Sequence, residues 1–275
     1  MAAALLLLLV PPVGLLAALA FLARPRAARV PLKGRHVFIT GRSSGIGLAM
    51  ATAAAREGAR VSILARNLAR LEEARAAIQR ESGRGDVGVH AADVRDADAV
   101  ARALREAGPV DVLVCNHGVF VPQELERQDM EEIKWMVDTN LMGTFHLIKA
   151  ALPAMKARTR ETRLPGPIAI MSSQAEHKRR PELTNIIAGS SGGMKANDVA
   201  KKALDGVKSG KFIVPCNFEG AILAVATAGL SPQSSPVMAF LEVIGAGLMR
   251  FAALCFQWNW FSTIESYYAN NKKPE

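Results

Sequence analysis

Tyrosine is almost missing from this sequence. Two occur in 275 residues, Tyr267 and Tyr268, so none stands between Met1 and Ser266. Aromatic residues together make only 5% of the chain. Cysteine is also scarce. Cys115, Cys216 and Cys255 are odd in number and far apart, which excludes a disulfide framework and offers no metal-binding cluster. Reduced thiols in a cytosol-facing domain fit that usage, and no metal is expected. Charged residues are 21% against 50% hydrophobic, so a packed core is expected and a disordered chain is not. The net charge of +9 leaves three classes of partner open: nucleic acid, anionic lipid or an anionic cofactor. No nucleic-acid module is visible, and with so few tyrosines nucleic acid is the weakest of the three.

One stretch lacks charge altogether. Ala2 to Ala23 is 22 residues rich in Leu and Ala, long enough to cross a bilayer as a helix. Arg24, Arg26, Arg29, Lys33 and Arg35 follow with no acid among them. Basic flanks stay on the cytoplasmic side, so the N-terminus is expected in the lumen and the following domain in the cytosol. The rival reading is a cleaved signal peptide. That usually carries a basic leading region, and no basic residue precedes Leu5. Pro11-Pro12 is expected to kink the helix.

The stretch that organises the chain is Thr40-Gly41-Arg42-Ser43-Ser44-Gly45-Ile46-Gly47. A β-branched run, Val37-Phe38-Ile39, leads into it, and a small-residue helical run, Leu48 to Arg56, follows. Gly41 allows a tight exit from the strand. Gly45 lets backbone N–H groups approach a pyrophosphate, and Gly47 lets the helix sit close on the sheet. The phosphates then lie on the positive end of the helix. The bland alternative is an ordinary Gly/Ser turn. Strand and helix stand where the dinucleotide reading needs them, so that reading is preferred. The spacing Thr-Gly-x3-Gly-x-Gly resembles the short-chain dehydrogenase/reductase family. The resemblance implies an α/β fold, a Rossmann-type doubly wound parallel sheet, here truncated after the fifth strand.

The chain continues in that pattern. Val61 to Leu64 reads as a second strand, with Arg66-Asn67 at its end. A basic residue there suits the 2′-phosphate of NADPH, where an acid would hold the ribose hydroxyls of NAD. Arg66, with Arg42 and Ser43 in the turn, therefore points to NADPH; the alternative is a solvated surface Arg. Leu68, Leu71, Ala74 and Ile78 share one helical face. Val87 to Ala91 is a third strand, followed by Asp93-Val94. The resemblance implies that this pair contacts the adenine, while Asp93 as the cap of the next helix is an equal alternative. Val110 to Cys115 is a nearly all-apolar strand, as a covered parallel strand should be. Asn116-His117-Gly118 follows where the family usually has Asn-Ala-Gly. His117 reads either as a base or, preferably, as a spare loop histidine. Asp129 to Lys156 is helical. Its Asp138-x-Asn140-Leu141-x-Gly143 pattern matches the family segment whose Asn belongs to a proton relay. Ile168 to Met171 is a fifth strand ending in Ser172-Ser173, and by resemblance Ser173, with Ser172 adjacent, holds the substrate carbonyl.

Three stretches sharpen the resemblance. Ser62–Asn67 (SILARN), Met171–Ala175 (MSSQA) and Pro181 to Gly220 are similar to the membrane-anchored branch of the family. That branch reduces 3-ketodihydrosphingosine, a long-chain lipid ketone, with NADPH at the endoplasmic reticulum. One part of the pattern is absent. The family's proton-donating Tyr belongs about 13 residues after the Ser, near Ile186, with a Lys four residues beyond it. Neither is there. Ala175 runs directly into Glu176-His177-Lys178-Arg179-Arg180, which resembles a later part of the family chain, so an internal deletion on the order of fifty residues is expected near 175–176. Tyr268 and Lys272 have the Tyr-x3-Lys spacing but lie 95 residues after Ser173, at a polar end expected to fray. A positioned acid contributes about 10²–10⁴-fold to such a reduction, so impaired or absent activity follows. Two other readings stand beside it: a non-catalytic membrane-anchored NADPH-binding protein, and a membrane ketoreductase acting on a steroid or retinoid.

Asn197 to Ser209 is expected as a helix, capped by Asn197 or Asp198, with Val199, Ala203, Leu204 and Val207 inward. Phe212-Ile213-Val214 is expected as a strand that closes parallel beside Ile168–Met171, taking the place of a lost sixth one. Ala221 to Leu230 and Val237 to Phe261 are apolar, split by a Ser/Pro turn, with Trp258 and Trp260 suited to a membrane interface. Membrane contact is preferred to a pair of core helices. The expected organisation is an anchor at 1–23, an NADP-binding domain at 33–215 and a membrane-associated segment at 220–262. Association with a second copy or with a full-length reductase is a further expected partner.

Overall fold

The computed structural model describes residues 2–22, 29–41, 44–83, 85–121, 123–172, 194–233 and 235–270. The elements in chain order are α1 (Ala2–Leu22), β1 (His36–Thr40), α2 (Ile46–Arg56), β2 (Arg60–Ala65), α3 (Leu68–Ser82), β3 (Val87–Ala91), α4 (Ala97–Ala107) and β4 (Val112–Cys115). After a short 3-10 turn come α5 (Met130–Val137), a π-helical turn (Asp138–Met142), α6 (Gly143–Thr162), β5 (Ile168–Ile170), α7 (Ala196–Lys208), α8 (Phe218–Ala226) and α9 (Pro236–Asn270).

Among the described residues the strands form one parallel sheet in the order β3-β2-β1-β4-β5. Register is fixed by pairs such as Val37 with Val61 and Val112, and Leu113 with Ile168. Alternation along each strand divides the core in two. Val37, Ile39, Val61, Ile63, Val112 and Val114 face α2, α3 and α7. Phe38, Leu64, Leu113 and Cys115 face α4 and α6. Both faces are covered, which is why the strands read as apolar runs and not as alternating ones. The helix faces match. Leu71, Ala74 and Ile78 of α3 are buried, but Leu68 is exposed, because it sits on the opening turn just past the cap. Asn67, Asp96 and Asp129 accept N–H bonds from Arg70, Ala99 and Glu131 and so start α3, α4 and α5.

Three local expectations are corrected. The long helix from Asp129 is interrupted at Asp138–Met142, where the backbone widens to a π turn. α7 begins one residue after Lys195, so Asn197 and Asp198 lie in its first turn and neither caps it. Ala200, Ala203, Leu204 and Val207 of α7 nevertheless point into the core. Finally, Phe212–Val214 forms no strand. Phe212 and Ile213 are exposed and outside the sheet, and Pro215, which has no N–H, ends the run after three apolar residues. β5 is the last strand of the sheet among the described residues, and it pairs with β4 alone.

The chain divides into two compact units. The sheet and its helices make one. The other contains α1, α8 and α9, and in it α1 and α8 pack against α9. α1 runs as one helix through Pro11 and Pro12. α9 is 35 residues long, and almost none of its apolar stretch is buried. By length and composition it is a candidate to cross a membrane.

Candidate active site

All five strands are parallel, so the segments that follow them gather at one edge of the sheet. Gly41 follows β1, Arg66 β2, Asp93 and Val94 β3, Asn116 to Gly118 β4, and Met171 and Ser172 β5. β1 has β2 on one side and β4 on the other, so the chain order reverses there. A crevice at such a switch point is where open parallel sheets take their ligands.

Two glycines of the turn, Gly41 and Gly45, hold positive φ angles. Gly41 has φ +121°, and a Cβ there would lie 2.6 Å from the Asn116 main-chain oxygen. The loop after β4 thus touches the turn at van der Waals limit. Gly45 has φ +66° and precedes α2 with no side-chain cap, and among the described residues, its chain neighbours aside, no atom lies within 4 Å of where its Cβ would be. A helix start that no side chain caps is an arrangement that fits a pyrophosphate. Gly47 is buried, and Ser44 is exposed. Arg42 and Ser43 lie outside the described residues.

Arg66 is exposed at the end of β2. Its charge reaches Asp93, whose carboxyl is held below the ordinary range chiefly by hydrogen bonds from Arg95, with Arg66 adding to the effect. The Arg95 guanidinium lies 2.7 Å from Asp93. Asp93 does not cap α4, since Asp96 does. Val94 is buried against the start of α6. A Cβ on Gly143 would come within 2.7 Å of the Val94 side chain, so only glycine fits there.

Asn140 sits on the π turn. Its side chain accepts from the Val119 N–H and donates to the Val119 C=O, each at 2.8 Å, and so clamps the loop beyond Gly118. His117 is neither a free base nor a spare loop residue. Its Nδ1 lies 2.7 Å from Thr40 Oγ1, and its Nε2 lies 3.2 Å from Thr144 Oγ1. Burial holds its pKa below the usual histidine value, while a backbone hydrogen bond at Thr139 works the other way. The partners Thr40 and Thr144 were not legible as site residues, and the one signal for them was the unusual His in Asn116-His117-Gly118.

Ser172 is exposed just past β5, where the Met171 N–H continues the pairing onto Cys115 O at 2.9 Å. Ser173, the junction at Ala175-Glu176, the basic run to Arg180 and Ile186 lie outside the described residues. Tyr268 stands near the end of α9 with its ring edge-on to Tyr267, and Lys272 is not described.

A doubly wound parallel sheet with a glycine turn at its switch point defines a dinucleotide-binding protein. The family model described as short chain dehydrogenase matches residues 35–194. The chain belongs to the short-chain dehydrogenase/reductase family, and its cofactor class is a nicotinamide dinucleotide. It is 47% identical to the 3-dehydrosphinganine reductase TSC10B of Arabidopsis thaliana, over 95% of this chain and 93% of that one. It is likewise 47% identical to the TSC10A protein of that plant, over 89% and 90%. The 3-ketodihydrosphingosine reductase of Mus musculus is 24% identical over 89% and 90%.

Proposed function

We propose that this chain is of the type that reduces 3-ketodihydrosphingosine to dihydrosphingosine with NADPH in sphingolipid biosynthesis, in a form that holds NADPH and turns over poorly. The observation that carries the substrate is the 47% identity to a 3-dehydrosphinganine reductase along nearly the whole of both chains. The glycine turn and the first turn of α2 would hold the pyrophosphate, Arg66 the 2′-phosphate, and Asp93 and Val94 the adenine. The cofactor supplies a hydride when bound. Ser173, with Ser172, would polarise the ketone, and Asn140 would shape the relay side.

The impairment rests on a missing acid. The alignment to the Arabidopsis relative runs over 312 positions, more than the 275 residues this chain has, so the relative carries residues without a counterpart here. A deletion at 175–176 that removes the Tyr and Lys fits that excess. It also favours a second reading, a non-catalytic NADPH-binding protein that pairs with itself or with a full-length reductase. The basic residues after α1 and the apolar α9 support a place at the endoplasmic reticulum membrane, with the sheet domain facing the cytosol.

The test is to supply the purified chain with 3-ketodihydrosphingosine and NADPH, and to titrate NADPH by fluorescence. NADPH should bind, with turnover about 10²–10⁴-fold below that of an intact relative. Turnover equal to the relative's would overturn the impairment, and no NADPH binding would overturn the cofactor assignment.

A further inference from the structure

The hydrogen bonds around His117 have a determinable direction. A backbone N–H can only donate, so Asn116 N–H donates to Thr40 Oγ1 at 3.2 Å. The Thr40 hydroxyl then has one proton to give. His117 Nδ1 at 2.7 Å is a much closer acceptor than the Val114 carbonyl at 3.4 Å. At the other end a carbonyl can only accept, so Thr144 Oγ1 donates to Asn140 O at 2.8 Å. That hydroxyl must therefore accept from His117, whose Nε2 carries the proton. The ring is the neutral Nε2–H tautomer, and the bonds run one way from the end of β4, through β1 and His117, to the π turn. The chain continues in Asn140, whose side chain grips both backbone groups of Val119. Gly143 leaves room for it, since a Cβ there would lie 3.3 Å from His117 Nε2.

We infer that His117 is a positioning residue for the cofactor crevice: it ties the glycine-turn end of β1 to the Asn140 turn and, through Asn140, fixes the loop at Gly118-Val119. This deepens the NADPH reading and rests on it for its consequence. A methyl group at 117, as in the family's usual Asn-Ala-Gly, could make neither bond. This chain has put a two-ended hydrogen-bonding ring at that position, and burial there disfavours its charged form.

The test uses the full chain in detergent and four variants, His117→Ala, Thr144→Val, Thr144→Ser and the double variant His117→Ala/Thr144→Val. The variants are read by hydrogen exchange of the Val119 amide and by the Kd for NADPH. Imidazole nitrogen NMR reads the tautomer directly. His117→Ala and Thr144→Val should each speed Val119 exchange and weaken NADPH about fivefold, the size of one net hydrogen bond. The double variant should add little to either, because both cut the same chain, and Thr144→Ser should restore wild-type behaviour. Thr144→Val keeps the side-chain shape, so it stands as the reading if His117→Ala fails to fold. Unchanged Val119 exchange in Thr144→Val, or an Nδ1–H tautomer at His117, would overturn the inference. If the wild type bound no NADPH while Val119 exchange still rose in the variants, the cofactor reading would fall and the positioning role would stand.

Discussion

The two ends of the same parallel strands are held by opposite means. At the amino end a charge is buried. Asp111 is only 2% exposed at its side chain; its carboxylate accepts the His36 N–H at 2.9 Å and Arg158 Nε at 3.1 Å, with Arg35 at 3.6 Å. Arg35 is itself buried and reaches across to the Pro165 carbonyl at 2.9 Å. Beside this cluster His36 is pinned between the Pro109 carbonyl and Ser62 Oγ. At the carboxyl end the fixed groups are neutral: glycines, threonine hydroxyls, one imidazole and one amide. The charged groups there, Arg66 and the Asp93–Arg95 pair, stay toward water. Full charges lock the amino end. The end that follows the strands, where the dinucleotide crevice lies, is held by neutral hydrogen bonds such as Asn116 N–H to Thr40 and Val119 N–H to Asn140.

The strongest way to break this contrast is Asp111→Ala. It would strand Arg35 and Arg158 against a carbonyl-rich pocket, and losing one partner of a buried ion cluster costs about 3–5 kcal/mol. Denaturant unfolding should show a loss of that size, while the folded fraction keeps its NADPH affinity. A substitution at the other end should reach NADPH affinity too.

Acid comes next. Burial lowers the His36 pKa to about 4, with Arg60 adding to the effect against the Pro109 hydrogen bond. The unfolded chain protonates this ring near 6.5, so below that pH the unfolded state binds more protons than the native one. Stability is therefore full above about pH 6.5 and falls as pH drops toward 4, by about 3 kcal/mol at 1.36 kcal/mol per pH unit. His90 and His117 are shifted in the same direction and steepen the decline. A flat unfolding free energy between pH 7 and 4.5 would show that the amino end is not sealed.

Gly41→Ala probes the carboxyl end. Its φ of +121° and the 2.6 Å approach to Asn116 leave no room for a methyl group, and a strained residue of this kind costs about 1–3 kcal/mol. The loss should appear in NADPH affinity as well as in stability, unlike that of Asp111→Ala. The smallest effect is Arg66→Asp. Removing one charge-assisted phosphate contact and adding repulsion should weaken NADPH about tenfold and leave NADH unchanged. Equal loss for both cofactors would show that Arg66 does not read the 2′-phosphate.

What was legible in the sequence was local. A β-branched run into Gly41, the shared helical face of Leu71, Ala74 and Ile78, or an apolar Val110–Cys115 each carries its own signal within a few residues. What was not legible depended on contacts far apart in the chain. His117 became meaningful only when the sheet brought Thr40 and Thr144 to its two nitrogens. The π turn at Asn140 has no pattern distinct from a regular helix. Phe212–Val214 had strand propensity, but propensity supplies no partner, and Pro215 withdrew a donor where a ladder would have needed one.

The length of α9 has a geometric consequence of its own. At about 1.5 Å of rise per residue, 35 residues measure about 52 Å, against about 30 Å for the hydrocarbon slab of a bilayer. On the proposed membrane reading, such a rod overruns its slab by several turns. The surplus falls at the polar end, since Ser262, Thr263, Glu265 and Ser266 follow the paired tryptophans Trp258 and Trp260. With the tryptophans at the headgroups as a depth gauge, the last turns stand in water as a post. Tyr268 then rides on that post as a surface marker, open to a soluble labelling reagent that Phe251 and Leu248 never meet.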